Sequence, residues 1–273
     1  MVSSNMLKKK WEHFSAVDFI LDNLVSIIFL VISFLAIPVS GLSAHHIIAE
    51  ILTRIGRNSF LVFALILPIM AGMGINFGMV LGAMAGQIGL IFAMDWSIGG
   101  IYGLVFAAGI GMPLSILLGI VAGSVLNRAR GREMVTSYIL GFFFNGIYQF
   151  FVLYLLGSVI PMHNKAIMLS RGYGVRNTLE LAPVRQILDT AIPLTIAGFK
   201  IPLLSYLIII ALCFFIVWFR KTKLGQDMRA IGQNQAVSLA SGIAVERTRI
   251  ISIVISTVLA CIGQIIFLQD MGN

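Results

Sequence analysis

The stretch Arg220–Arg249, RKTKLGQDMRAIGQNQAVSLASGIAVERTR, sets the reading of the whole chain. It is a polar island between two apolar runs, Ile201–Phe219 and Ile250–Leu268. Its basic residues are Arg220, Lys221, Lys223, Arg229, Arg247 and Arg249, against two acids, Asp227 and Glu246. Excess Lys and Arg in a short loop between apolar spans holds that loop in the cytoplasm. Small residues recur at Ala230, Gly232, Ala236, Ala240 and Gly242. That pattern suits short helices packed closely against a partner, and predicts a docking surface.

Composition supports the flanking runs as membrane spans. Of 273 residues, 59% are hydrophobic and 11% charged, where a soluble domain carries about 25% charge. A net charge of +8 taken alone points to nucleic acid, but the charges cluster at the borders of apolar runs. Topology accounts for them, and no nucleic-acid partner is expected. Cys213 and Cys261 lie inside apolar runs and read as small hydrophobes, not as a disulfide framework. The 27 Gly and 13 Met fit helices that pack closely in lipid.

Lys8, Lys9 and Lys10 precede the first uncharged run, Asn23–Ala44. This places the N-terminus in the cytoplasm, and the run is long for a signal core, so a retained helix is expected. His45–Asn58 is amphipathic, with Ile48, Leu52 and Ile55 on one face and Glu50, Arg54 and Arg57 on the other. It predicts an interfacial helix on the far side, and His45–His46 predicts solvent-exposed imidazoles, not a metal site. Ser59–Asn127, interrupted only by Asp95, divides into crossings near 59–75, 76–95 and 98–127. Pro113 predicts a kink or break in the third. Gly74, Gly78, Gly82 and Gly86 recur every four residues, a small-residue edge for close packing or for a path. Asn76 and Gln87 are polar groups in this apolar zone and are candidates for a cavity wall. The basic run Arg128-Ala129-Arg130-Gly131-Arg132 closes the block in the cytoplasm.

The next span, Glu133–Ile160, places Asn145 and Gln149 on one helical face. They are candidates for a hydrogen-bonding solute path, and interhelix bonding is an equal alternative. Pro161–Lys200 is a long outer loop in which Leu179–Thr190 predicts a short helix with Val184, Ile187 and Leu188 inward. Its Arg171, Arg176 and Arg185 are candidate contacts for an acidic surface on a solute-binding protein. Ile201–Phe219, with Trp218 at the interface, and Ile250–Leu268 complete about seven spans. The expected fold is an all-α polytopic bundle, one permease domain over 1–273, with a loop over 161–200 and a cytoplasmic segment over 220–249.

What is missing also sorts the functions. The sequence has no Gly-x-x-x-x-Gly-Lys-Ser/Thr loop to cradle ATP phosphates and no catalytic spacing of Ser/His/Asp or Cys/His. No catalytic, cofactor or metal site is expected. Ionisable residues at membrane depth, which ion-coupled transporters commonly use, are nearly absent.

The run Gly225-x-x-x-Arg229-Ala230-Ile231-Gly232-x-Asn234 followed by Ala240-Ser241-Gly242-Ile243 resembles the coupling segment of one permease family. These are the membrane subunits of ABC importers for branched-chain amino acids, ribose-type sugars and nucleosides. The resemblance implies that Gly225, Arg229, Ala230, Ile231, Gly232, Asn234, Ala240, Ser241, Gly242 and Glu246 meet separate ATPase subunits, which carry the ATP and Mg. It implies as partners a second permease subunit, an extracytoplasmic solute-binding protein and membrane lipid, in the cell membrane. The family pattern Asn-Ile-Gly plus an acid reads here Asn76-Phe77-Gly78-Met79-Val80, without the acid. Family members continue for several spans beyond Leu259–Gly263, so a shortened chain or fragment is expected. The sparse neutral amides favour a simple sugar or nucleoside as solute. Branched-chain amino acids, a secondary transporter or channel, and a structural membrane subunit are the alternatives.

Overall fold

The computed structural model describes residues 20–21, 23–176, 178–188, 193–196 and 199–272. The expected anchor Lys8–Lys10 and the end of the helix expected at Leu179–Thr190 lie outside them. Nine α-helices are present among the described residues: α1 (Leu24–Ser40), α2 (Ala44–Met70), α3 (Met79–Asp95), α4 (Gly100–Arg128), α5 (Glu133–Phe150), α6 (Leu203–Phe219), α7 (Lys223–Gln233), α8 (Gln235–Ala240) and α9 (Val245–Met271). A π-helical turn, Phe151–Leu155, extends α5. Two short strands, β1 (Pro193–Ile196) and β2 (Phe199–Pro202), pair antiparallel with Pro193 opposite Pro202. The prolines sit at the open end of this hairpin, where a missing N–H disrupts the ladder least.

The expected polytopic helical bundle is what the chain forms. Helices α2, α4, α9 and α5 with its π turn are long and apolar enough to cross a membrane. A fifth candidate is the pair α6 and α7, bent by 75°. The apolar helices α1 and α3 have 17 residues each, about 26 Å, near the lower limit for spanning. All seven apolar runs of the sequence are therefore helical, but only part of them meet the length of a full crossing.

Two expectations are corrected. The interfacial helix at His45–Asn58 and the crossing near 59–75 are one continuous helix, α2, ending at Met70. No left-handed residue interrupts it, and Arg57 finds Asp270 at 2.7 Å, so its charge does not need the interface. Of the kink or break expected at Pro113, the break does not occur, and α4 continues to Arg128. In an apolar segment the helix remains the only way to satisfy backbone polar groups.

The chain divides into two compact units between Ile51 and Leu52. In the first, α1 has no buried residue. In the second, α3, α4 and α9 pack most closely because glycines bring backbones into contact. A side chain at Gly82 would begin on the Thr257 carbonyl, and one at Gly86 would begin 2.7 Å from the Cys261 carbonyl. Two apolar clusters fill the ends of this bundle. One joins Phe60, Leu90 and Ala107 to Val184 and Leu188 of the long loop. The other joins Leu67, Leu81 and Ile253 to Met228 of α7. Each end of the bundle is thus closed by a loop element that buries side chains in the core. Helix α5 keeps Ile139, Phe142, Phe143, Ile147 and Phe150 exposed, an apolar face that suits lipid or a partner.

Candidate functional site

Three of the four polar residues expected on a path come together. Gln87 of α3 and Asn145 and Gln149 of α5 line one cavity of about 400 Å³, with Tyr148, Leu90, Ile91 and Arg176 among its other walls. The spacing of Asn145 and Gln149 explains their shared orientation, since residues four apart lie on one face of a helix. Among the described residues, no hydrogen bond within the chain engages these three carboxamides.

Asn76 is placed differently. It lies in the connection between α2 and α3, only 2% exposed, and its Oδ1 accepts the Gly78 N–H at 2.8 Å. Its Nδ2 is buried without a partner. The four-residue glycine pattern does not form one edge, because α3 starts at Met79. Gly74 has φ +67° in the connection, whereas Gly82 and Gly86 pack on α9. The regular spacing was a property of the sequence that the helix boundary cut in two.

The segment 220–249 folds as two short helices with sequence-encoded caps. Thr222 accepts the Gly225 N–H at 3.2 Å and starts α7. Asn234 accepts the N–H groups of Ala236 and Val237, each at 3.1 Å, and starts α8. Such side-chain acceptors satisfy N–H groups that a helix start leaves open. Gly242 has φ +80°, which only glycine adopts without strain. Ile231 is buried, and Gly232 meets the Met70 carbonyl. Several of the expected contact residues thus serve the segment's own fold. Arg229, Ala240 and Ser241 are exposed and Ala230 half-buried.

Sequence reasoning missed Val237 and Leu239, which are 60% and 63% exposed on α8. Their apolar character on a polar island was the available signal. It also missed how the two basic loops meet. Glu246 accepts from Arg130 at 2.6 Å with both side chains largely exposed, and its carbonyl accepts from Asn127 at 2.8 Å. Arg249, counted with the surface charges, is 2% exposed and bonded to Glu133. Its Nε and one terminal nitrogen are buried without partners.

The three arginines of the long loop all have neighbours within the chain. Arg171 donates to the Leu153 carbonyl at 3.0 Å and lies over the rings of Tyr154 and Tyr173. Arg176 donates to the Met168 carbonyl at 3.1 Å and borders the cavity. The Arg185 side chain lies against Gly272. Buried Asp95 anchors the start of this loop by accepting the N–H groups of His163 at 2.8 Å and Asn164 at 2.9 Å. Its other oxygen meets His163 Nδ1 at 3.2 Å. Val184 and Leu188 point inward as expected, but Ala182–Val184 is a 3₁₀ turn. Among the described residues no cluster of three or more His, Cys, Asp or Glu is placed to hold a metal ion.

The profile of the family described as "Branched-chain amino acid transport system / permease component" matches residues 47–273. Among curated proteins the chain is similar to the autoinducer 2 import system permease protein LsrD of Escherichia coli (strain K12), of Escherichia coli O157:H7 and of Shigella flexneri. Each is 25% identical over 177 residues, which is 65% of this chain and 46% of the relative. The chain thus spans about half the length of the curated relatives it matches. No solved structure matches it. With the profile match extending over residues 47–273, the chain belongs to the family of branched-chain amino acid transport system permease components.

Proposed function

We propose that this chain is the membrane-spanning subunit of an ATP-driven importer and forms the path for a small, neutral, polar solute. The observation that carries this reading is the cavity walled by Gln87, Asn145 and Gln149, whose carboxamides make no hydrogen bond within the chain among the described residues. Polar groups at membrane depth are costly unless paired, and free ones mark pathways. Residues 220–249, with exposed Arg229, Val237 and Leu239, dock ATPase subunits from the cytoplasm. A second permease subunit covers the exposed face of α5, and a solute-binding protein delivers solute at the long-loop end. Nucleotide-driven movement of α7 and α8 then shifts the bundle between outward- and inward-open states.

A sugar-like solute fits the amide-lined cavity, and the curated relatives are named for import of autoinducer 2. A branched-chain amino acid is the second reading, favoured by the family's description and by Arg176 at the cavity wall, which suits a carboxylate. Affinity purification of the tagged chain from gently solubilised membranes tests the class. Recovery of an ATPase and a solute-binding protein is expected, and the latter is then screened with sugars, nucleosides and leucine. Recovery of the chain alone, together with ion-gradient-dependent flux, would point to a secondary transporter. Replacing Asn145 and Gln149 together by Ala should lower ATP-driven uptake of the identified solute about tenfold or more, each lost hydrogen bond being worth roughly 1 kcal/mol.

A further inference from the structure

A second cavity, of about 340 Å³, adjoins the one just described. The two share Gln87 and Asn145. The first extends to Arg176 and Leu181, at the long-loop end. The second extends to Met79 at the start of α3, towards the coupling-loop end, and adds Gln264 of α9. Gln264 is half-buried and, among the described residues, makes no hydrogen bond within the chain. Leu61, Met79, Ala83 and Met84 complete most of the wall, and among the described residues no charged side chain lines it.

We propose that this second cavity is an inner station of the solute path, with Gln87 and Asn145 forming the constriction between stations. Gln264 is then a specificity-determining residue that receives the solute after the constriction. The inference rests on the permease reading and deepens it. A carboxamide set in an aliphatic and thioether wall needs a hydrogen-bonding visitor, because its desolvation is otherwise uncompensated. Three carboxamides set among apolar groups fit a neutral molecule that carries both hydroxyls and C–H surface, as a sugar ring does. A carboxylate or phosphate would meet Arg176 at the outer station and no cation at the inner one. Unpaired charge in an apolar cavity is strongly disfavoured, so anions stall at the constriction.

Cysteine accessibility tests this in the reconstituted complex, with Cys213→Ser and Cys261→Ala as background. Gln264→Cys and, as an independent probe, Ala83→Cys report the inner station, and Gln149→Cys reports the outer one. A charged, water-soluble methanethiosulfonate should label both inner probes at least about tenfold faster from the coupling-loop face than from the long-loop face, since only a hydrated thiolate reacts readily. Gln149→Cys should show the opposite preference, and adding Asn145→Ala should bring the two faces together. Equal labelling from both faces without that substitution would overturn the constriction. Labelling of both inner probes by membrane-soluble N-ethylmaleimide alone would mean a lipid-filled crevice, and labelling by neither reagent would mean a packing void. These arms need no nucleotide. If Mg-ATP with vanadate leaves every rate unchanged, the ATP-driven reading fails while the inner station stands.

Discussion

At Gly82 a neighbouring backbone carbonyl, that of Thr257, occupies the place where a side chain would begin. Gly82→Ala should therefore force α3 and α9 apart and cost about 1–3 kcal/mol. Gly109 is helical too but has open space around it, so Gly109→Ala should be neutral or gain up to about 1 kcal/mol. Thermal unfolding in detergent checks the pair, and similar shifts in both would contradict the packing argument. Arg249 makes the same point for charge. Buried with Glu133, it ties the start of α9 to the start of α5. Arg249→Met alone should cost about 3–5 kcal/mol by leaving Glu133 unpaired, and adding Glu133→Gln should recover much of that. Strictly additive losses in a denaturant series would argue that the two side chains do not interact. Nothing in the run Glu246-Arg247-Thr248-Arg249 distinguishes the buried arginine from its exposed neighbour, because burial depends on what the first turn of a helix faces.

At the scale of elements, caps and turns were locally encoded, whereas anchors between elements were not. Asp95 ends α3 and holds the first residues of the long loop through two backbone N–H groups. In the sequence it reads only as an interruption of an apolar block. Asp95→Asn should weaken these charge-assisted bonds by about 1.5–3 kcal/mol. Amide hydrogen exchange at His163 and Asn164 should then accelerate relative to the core of α9, and unchanged protection would remove Asp95 as the anchor. Helix α8 presents Val237 and Leu239 to solvent, while Gly232 faces the Met70 carbonyl. A bulky residue at Gly232 would thus damage the permease itself, so the better probe of ATPase docking is Val237→Asp with Leu239→Asp. This pair should reduce ATPase co-purification about tenfold or more, as expected for apolar contact residues. The unfolding temperature of the chain should change little, since both side chains are exposed. Full ATPase recovery would place the docking surface elsewhere.

For the whole molecule, the decisive juxtaposition is Gln87 of α3 with Asn145 and Gln149 of α5 around one cavity, and Gln264 of α9 around the next. Half of it was legible: Asn145 and Gln149 share a face by helical periodicity alone, and an amide amid apolar residues marks itself as unusual. Gln264 carries the same chemistry, yet nothing in its local sequence says which neighbour it meets, and Asn76 looked equivalent until it proved to serve a turn. The amino-acid sequence by itself determined the apolar helices, most of their approximate limits, the basic loops and the family, because these depend on hydropathy, charge and local backbone chemistry. Only the tertiary structure decided that α2 is continuous, that Arg249 is buried and that Glu246 pairs with Arg130. It alone brought amides from three helices to adjoining cavities. Those outcomes depend on contacts between residues far apart in the chain, where the packing of one helix against another, not the residue's own neighbourhood, sets which polar groups line a cavity.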